Sequence, residues 1–406
     1  MPRVIFVAPF LMPATVRFAQ AVADLPGIRF GLITQDPAIK LPPRLAGRVE
    51  VHHRVDNAFD AQRLAHAARE IAGQLGGLDR LIGALEQLQV PLAQARELLG
   101  VPGMGPEAAK NFRDKARMKD VLRAAGLPCA RHALVTSRSE ARAFAGEVGF
   151  PLVVKPPDGA GGKATFRVDA PESLEEALSV TGPAPGQSVL IEEFMTGEEY
   201  SFETVSIEGR PVWYSSTRYL PTPLEVLHNP WIQWCVLLPR EREDPRLADV
   251  KAAGFRALAA LGMDTGLSHM EWFRRRDGSI AISEIAARPP GAQITTLVSL
   301  AHEADLLSAW ARVMVFGEFE MPPRRWATGA AFLRGMGEGR VKAVRGLDQA
   351  QRELGPLVVE AKLPQPGAPK STSYEGDGYV LLRHEDTETV RKALMRLVAL
   401  IRVDYA

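Results

Sequence analysis

The chain has 406 residues, enough for two or three domains with sizeable cores, and its 49 Lys+Arg almost cancel 48 Asp+Glu. That balance leaves no long-range field to hold nucleic acid or an anionic membrane, so neither is expected as a partner and any phosphate binding must be local. The 2 cysteines, Cys129 and Cys235, show no metal-binding spacing and fit a reducing cytosol without a disulfide. No run approaches the roughly 20 apolar residues that span a bilayer, and residues 1–12 read as a first strand and not a leader, so a cytoplasmic protein is expected.

Residues 4–8 read as a buried strand, 14–24 as a helix and 30–34 as a second strand. The turn after the first strand, Ala8-Pro9-Phe10-Leu11-Met12, lacks the Gly-x-Gly-x-x-Gly pattern of dinucleotide sites. A helix at 59–75, a strand at 80–84 and a helix at 90–99 complete a small open α/β domain over residues 1–104. Past a linker at 103–106, a helix is expected at 107–125, stopped by Gly126-Leu127-Pro128. A helix at 139–148, strands at 152–155 and 164–168, a helix at 173–179 and a strand at 188–193 follow. A hairpin joins 200–207 to 211–219 around Glu208-Gly209, and a second joins 267–273 to 280–285. Residues 293–316 read as one helix, and 324–406 alternate strands with two helices, the last at 387–400. The fold class is α/β, α+β overall, with segments 1–104, 105–187, 188–322 and 323–406.

The second hairpin carries the strongest chemical signal. Asp277-Gly278 predicts a two-residue turn that sets Arg276 against Ser279 and, counting outward, Glu271 against Glu284 and His269 against Ala286. Directly opposed residues share a face, and opposed like charges destabilise a sheet unless a cation sits between them. A divalent metal bound to polyphosphate suits two such acids. Residues 156–163 form a glycine-dense loop (Gly159, Gly161, Gly162) flanked by Lys155 and Lys163, whose backbone N–H groups can face phosphate oxygens. It joins strand to strand and opens no helix with Gly-Lys-[Ser/Thr], so it is not a P-loop. No Ser/His/Asp or Cys/His arrangement offers a nucleophile. The proline-broken segment 218–239 carries His228, Trp231 and Trp234 and is the expected place for substrate contacts, the alternative being a flap whose tryptophans pack on the core.

In order, Asn111-Phe112-Arg113-Asp114-Lys115, Val153-Val154-Lys155-Pro156, the glycine loop, Ile191-Glu192-Glu193-Phe194-Met195 with Glu199-Tyr200, His269-Met270-Glu271 and Glu284-Ile285-Ala286-Ala287-Arg288-Pro289-Pro290-Gly291 resemble the ATP-grasp superfamily of carboxylate–amine ligases. The resemblance implies an ATP-grasp fold with a Rossmann-like N-terminal domain and a small C-terminal α/β domain, and an ADP-forming ligase that activates a carboxylate as an acyl phosphate. It implies ATP and Mg²⁺, or Mn²⁺ in its place, as cofactors and a small-molecule carboxylate and amine as substrates; a homodimer is expected only as the commonest assembly of soluble proteins. Lys115 and Lys155 would meet the α- and β-phosphates, and the loop with Gly159, Gly161, Gly162 and Lys163 would close over the β- and γ-phosphates. Glu192, Glu193 and Met195 would belong to the linker that reads adenine, and Glu199 would take the ribose. Glu271 and Glu284 would hold the metal, and Arg288 would meet the transferred phosphoryl group or the substrate carboxylate. Many members carry Asn where this chain has Ala286, so His269 either compensates for that ligand or hydrogen-bonds within the sheet or pocket. The Arg288-Pro289-Pro290-Gly291 ending resembles ligases of amino acids, with Gly291, His228 and Trp231 at the substrate. The alternatives are a formate- or bicarbonate-activating member and a non-catalytic ATP-binding regulator.

Overall fold

The computed structural model describes residues 1–157, 165–229, 232–373 and 375–406, with only the backbone of Leu227 and His228. The first domain runs β1 (Arg3–Ala8), α1 (Pro13–Ala23), β2 (Arg29–Thr34), α2 (Pro43–Ala46), β3 (Val51–Arg54), α3 (Ala61–Leu75), β4 (Arg80–Ile82) and α4 (Gln89–Leu99). Its strands form a parallel sheet in the order β3-β2-β1-β4. The apolar run of β1 is buried on both faces, as parallel strands covered by helices are. Short, polar β3, with two histidines and an arginine, gave no alternation to find it by. One face packs on α3 and α4. The other meets the rest of the molecule, where Trp310 takes Phe6 and Phe18 edge-on at centroid distances of 6.5 and 5.0 Å.

Next come α5 (Pro106–Arg113), α6 (Lys115–Ala124), β5 (His132–Val135), α7 (Arg138–Val148), β6 (Leu152–Lys155), β7 (Phe166–Val168), α8 (Pro171–Thr181) and β8 (Val189–Glu193). The single helix expected at 107–125 is two: the Asp114 carboxylate accepts the N–H groups of Ala116 and Arg117 at 2.9 and 3.0 Å, capping a new helix that begins with Lys115. Strands β5-β8-β6-β7 form a four-stranded antiparallel sheet against α7 and α8.

The third stretch holds β9 (Glu198–Ile207), β10 (Arg210–Leu220), α9 (Pro223–His228), β11 (Trp234–Leu238), α10 (Ala248–Leu261), β12 (Gly266–Arg274), β13 (Ile280–Ala286), α11 (Ile294–His302) and α12 (Leu306–Phe316). The helix expected across 293–316 breaks at Glu303, which is left-handed (φ 53), and at Asp305, whose side chain caps α12. The last stretch is β14 (Ala327–Leu333), β15 (Val341–Arg345), α13 (Leu347–Leu354), β16 (Val358–Lys362), β17 (Gly378–His384), α14 (Thr387–Leu400) and β18 (Arg402–Tyr405). One eight-stranded sheet, β13-β12-β9-β10-β11-β14-β17-β16, runs through both stretches. The sheets cut across the expected divisions at 187/188 and 322/323, because β8 is hydrogen-bonded into the small sheet and β14 pairs with β11.

Candidate active site

The expected register of the β12–β13 hairpin is present, and it arises from two departures that cancel. The turn has three residues, not two: the Arg275 N–H donates to the Ser279 carbonyl at 2.8 Å, the Gly278 N–H to the Arg275 carbonyl at 3.0 Å, and Gly278 supplies the left-handed residue (φ 83). That shifts the pairing by one as far as Trp272–Ile282. A β-bulge then inserts Ser283 and restores Glu271 opposite Glu284 and His269 opposite Ala286. β13 is a sheet edge, and its outward backbone groups are covered. The Ile282 N–H donates to the Pro128 carbonyl at 2.8 Å, the Ile285 N–H to Met118 Sδ at 3.2 Å, and the Lys119 ammonium to the Ser283 carbonyl at 2.7 Å.

Lys115 opens α6 and Lys119 follows one turn later, so both point toward this edge. Lys115 Nζ lies 2.9 Å from Glu284 Oε1, which offsets the cost of a cation at a helix N-terminus. Lys155, at the end of β6, pairs with Glu192 on β8, and Lys119 reaches the other Glu192 oxygen at 3.1 Å. All three lysines are nine-tenths or more buried. Burial works against ionisation of Glu192, but Lys119 and Lys155 outweigh it and hold its carboxyl at about 2. Glu284 is held at about 2 in the same way, burial being overcome by Lys115 and Lys155. Burial likewise opposes the charge on Lys155, yet Glu192 and Glu284 raise it above the ordinary lysine range.

Two further acids face the hairpin from β9. Glu199 sits opposite Phe273, and burial together with Glu271 pushes its carboxyl well above the usual range. Glu203 is fully buried and lies 2.9 Å from His269 Nδ1, while His269 Nε2 lies 3.7 Å from Glu271. Burial favours the neutral ring, but Glu203 and Glu271 prevail and raise His269 to about 9. Through Nδ1 the ring makes the hydrogen bond within the sheet that was one of its two expected roles. Opposite, the Arg288 guanidinium donates to Glu86 Oε2 at 3.2 and 3.1 Å and to the Pro289 carbonyl at 3.0 Å, and Arg113 reaches the second Glu86 oxygen at 3.3 Å.

Most of these groups, though not Lys119, Glu203 or Arg113, line one cavity of about 660 Å³. Lys115, Lys155, Glu192, Glu193, Met195, Glu199, His269, Glu271, Glu284 and Arg288 all line it. Glu192 differs from its expected part: it lies inside β8 between β5 and β6, so the sheet takes up its backbone and only the side chain faces the cavity. Gly291 is exposed and does not line the cavity. Gly159, Gly161, Gly162, Lys163 and Trp231 lie outside the described residues, and His228 ends α9 with its side chain undescribed. Trp234 packs on Phe332 in the core, 5.1 Å between centroids, which settles its alternative as structural. Sequence reasoning missed Lys119, Glu203, Arg113 and Glu86. Helical spacing from Lys115 could have pointed to Lys119, and Glu86 follows the carboxyl end of a parallel strand, where α/β sheets place ligands.

Residues 120–301 match the ATP-grasp domain. The chain is 24% identical to the L-arginine-specific L-amino acid ligase of Bacillus subtilis over 75% of this chain and 73% of that one. It superposes on the L-amino acid ligase of Bacillus licheniformis with a TM-score of 0.78 at 19% identity, covering 100% of this chain and 99% of the other. On the carboxyaminoimidazole ribonucleotide synthase of Aspergillus clavatus, solved with ATP, the TM-score is 0.73 at 17% identity, with 99% of each chain covered. Residues 120–301, with the site they carry, define an ATP-grasp domain. Its class of chemistry is ADP-forming, ATP-dependent ligation of a carboxylate to an amine. No helix among the described residues is long and apolar enough to cross a membrane.

Proposed function

We propose that this enzyme joins the carboxylate of one amino acid to the amine of a second amino acid or small peptide. The observation that carries the proposal is the meeting of Glu271, Glu284, Lys115 and Lys155 in a cavity whose far wall is the Arg288–Glu86 pair. The amino-acid ligases of the two Bacillus species support the substrate class.

In this reading the ammonium groups of Lys115 and Lys155 leave their carboxylate partners for phosphate oxygens when ATP enters, trading one anion for another at little electrostatic cost. Met195 and Phe194, in the link between β8 and β9, lie beside adenine, and Glu199 takes the ribose hydroxyls. The carboxylates at 271 and 284 are hard oxygen donors facing one space, a set that fits Mg²⁺ or Mn²⁺ completed by phosphate oxygens and water. When bound, the ion neutralises phosphate charge during transfer. A substrate carboxylate oxygen then attacks the γ-phosphorus, the bond to the ADP oxygen breaks, and an acyl phosphate forms. The amine attacks the acyl carbon, C–N forms, and phosphate leaves with the carbonyl-bound oxygen. Arg288, with Glu86 fixing its plane, orients the substrate carboxylate or its phosphorylated form.

The test supplies Mg-ATP with amino acids in pairs and follows ADP, phosphate and product mass. Stoichiometric ADP, phosphate and dipeptide are expected. Turnover with bicarbonate or formate and no second amino acid would instead support the alternative class, and ATP binding without turnover on any pair would support a regulator. Cytoplasmic residence and a homodimer belong to the same proposal. Cell fractionation tests the first, and light scattering tests the second.

A further inference from the structure

Lys119 is fully buried, on a helix whose opening residue, Lys115, already serves the cavity, and Lys119 is not among the residues lining that cavity. A buried ammonium costs several kcal/mol unless its partners are well placed. Among the described residues its ammonium has two partners, on different sheets. Glu192 Oε2 lies 3.1 Å away on β8 of the small sheet, and the Ser283 carbonyl accepts at 2.7 Å on β13 of the large one. Ser283 is the bulged residue itself. The bulge corrects the offset introduced by the three-residue turn, and without that correction the pairing that runs from Arg274–Ile280 to Trp272–Ile282 would not bring Glu284 opposite Glu271.

From this juxtaposition we propose that Lys119 is a positioning residue for the metal acids. Its ammonium pins the Ser283 bulge at the open edge of the sheet and ties it to Glu192, the partner of Lys155, so the phosphate-facing lysine and the metal-facing acids share one rigid mount. It touches neither nucleotide nor substrate. Neighbouring contacts reinforce the mount: the Met118 sulfur accepts the Ile285 N–H at 3.2 Å, and Cys129 bridges to Ile282. A lysine here does what an apolar residue of equal volume cannot, because it meets both an outward carbonyl on a sheet edge and a buried carboxylate.

The inference rests on Glu271 and Glu284 being the metal acids, and the experiment separates the two claims without amino-acid substrate. ADP binding to the full chain is measured by calorimetry in EDTA and then at rising Mg²⁺. For Lys119→Met the Mg²⁺ concentration giving half of the metal-dependent gain in affinity should rise about 10- to 100-fold, as loss of an outer partner of a metal ligand does, while metal-free ADP binding changes by no more than about threefold. Lys119→Arg keeps the charge but displaces the carbonyl with its larger head group, and should raise the same concentration by at least about threefold. Unchanged Mg²⁺ dependence in both variants overturns the proposal, as does a metal-free loss equal to the metal-dependent one, which is the signature of simple unfolding. If Lys119→Met does not fold, Lys119→Arg decides by the same criteria. If Glu271→Gln and Glu284→Gln retain the metal-dependent gain, the metal assignment falls and the role of Lys119 with it.

Discussion

Glu192→Gln is nearly isosteric, yet it removes the anion that two buried lysines share. Above its ordinary carboxyl value of 4.5 the folded-state depression to about 2 is worth about 3 kcal/mol, at about 1.4 kcal/mol per unit, within the range for breaking a buried ion pair. The group is almost wholly buried, so solvent screening takes little from this figure. Because the folded value is depressed, the contribution is fully present above about pH 4.5 and is lost as pH falls toward about 2. Thermal unfolding followed by circular dichroism on nucleotide-free protein should place Glu192→Gln about 5 °C or more below the parent at pH 7. The gap should hold from pH 8 to about pH 5 and narrow steadily below about pH 4.5. ATP, which offers Lys155 a phosphate in place of the lost carboxylate, should raise the variant's midpoint more than the parent's. Equal midpoints at pH 7, or a gap that does not shrink in acid, would refute the assignment of Glu192 as the shared counter-ion.

Gly197 lies in the link between β8 and β9 at φ 147, and a Cβ built there would stand 2.2 Å from the Arg274 carbonyl oxygen, a backbone atom that cannot swing aside. Gly197→Ala should therefore lower stability by about 2 kcal/mol and weaken ADP binding, and calorimetry showing parental affinity would count against the close approach. Glu86→Ala should leave ADP binding intact while raising the KM for the acyl-donor amino acid by about tenfold, since Arg288 loses a charged hydrogen-bond partner. A parallel loss of ADP affinity would place Glu86 on the nucleotide side instead.

Local signals were sufficient for much of this. The β-α-β opening is visible because periodicities of 2 and 3.6 report which face is buried, and the last helix, Thr387–Leu400, was bounded correctly by its amphipathic stripe. The Glu271–Glu284 pairing was also legible, though by a route the structure amends: an extra residue in the turn and an extra residue in the strand offset one another. Glu203 escaped notice because nothing in an alternating strand marks which inward acid will meet a histidine 66 residues further along.

By itself the sequence determined which residues can bring charge to the cavity, their order along the chain, and the faces they occupy on their own strands and helices, all properties set within a few residues by backbone geometry. Only the tertiary structure decided that Glu192 turns inward between Lys119 and Lys155, that Glu86 crosses from the first domain to Arg288, and that the bulge at Ser283 is held from outside. Those contacts join residues dozens to hundreds of positions apart, and a buried charge selects its partner through desolvation, which depends on everything packed around it and on no local pattern.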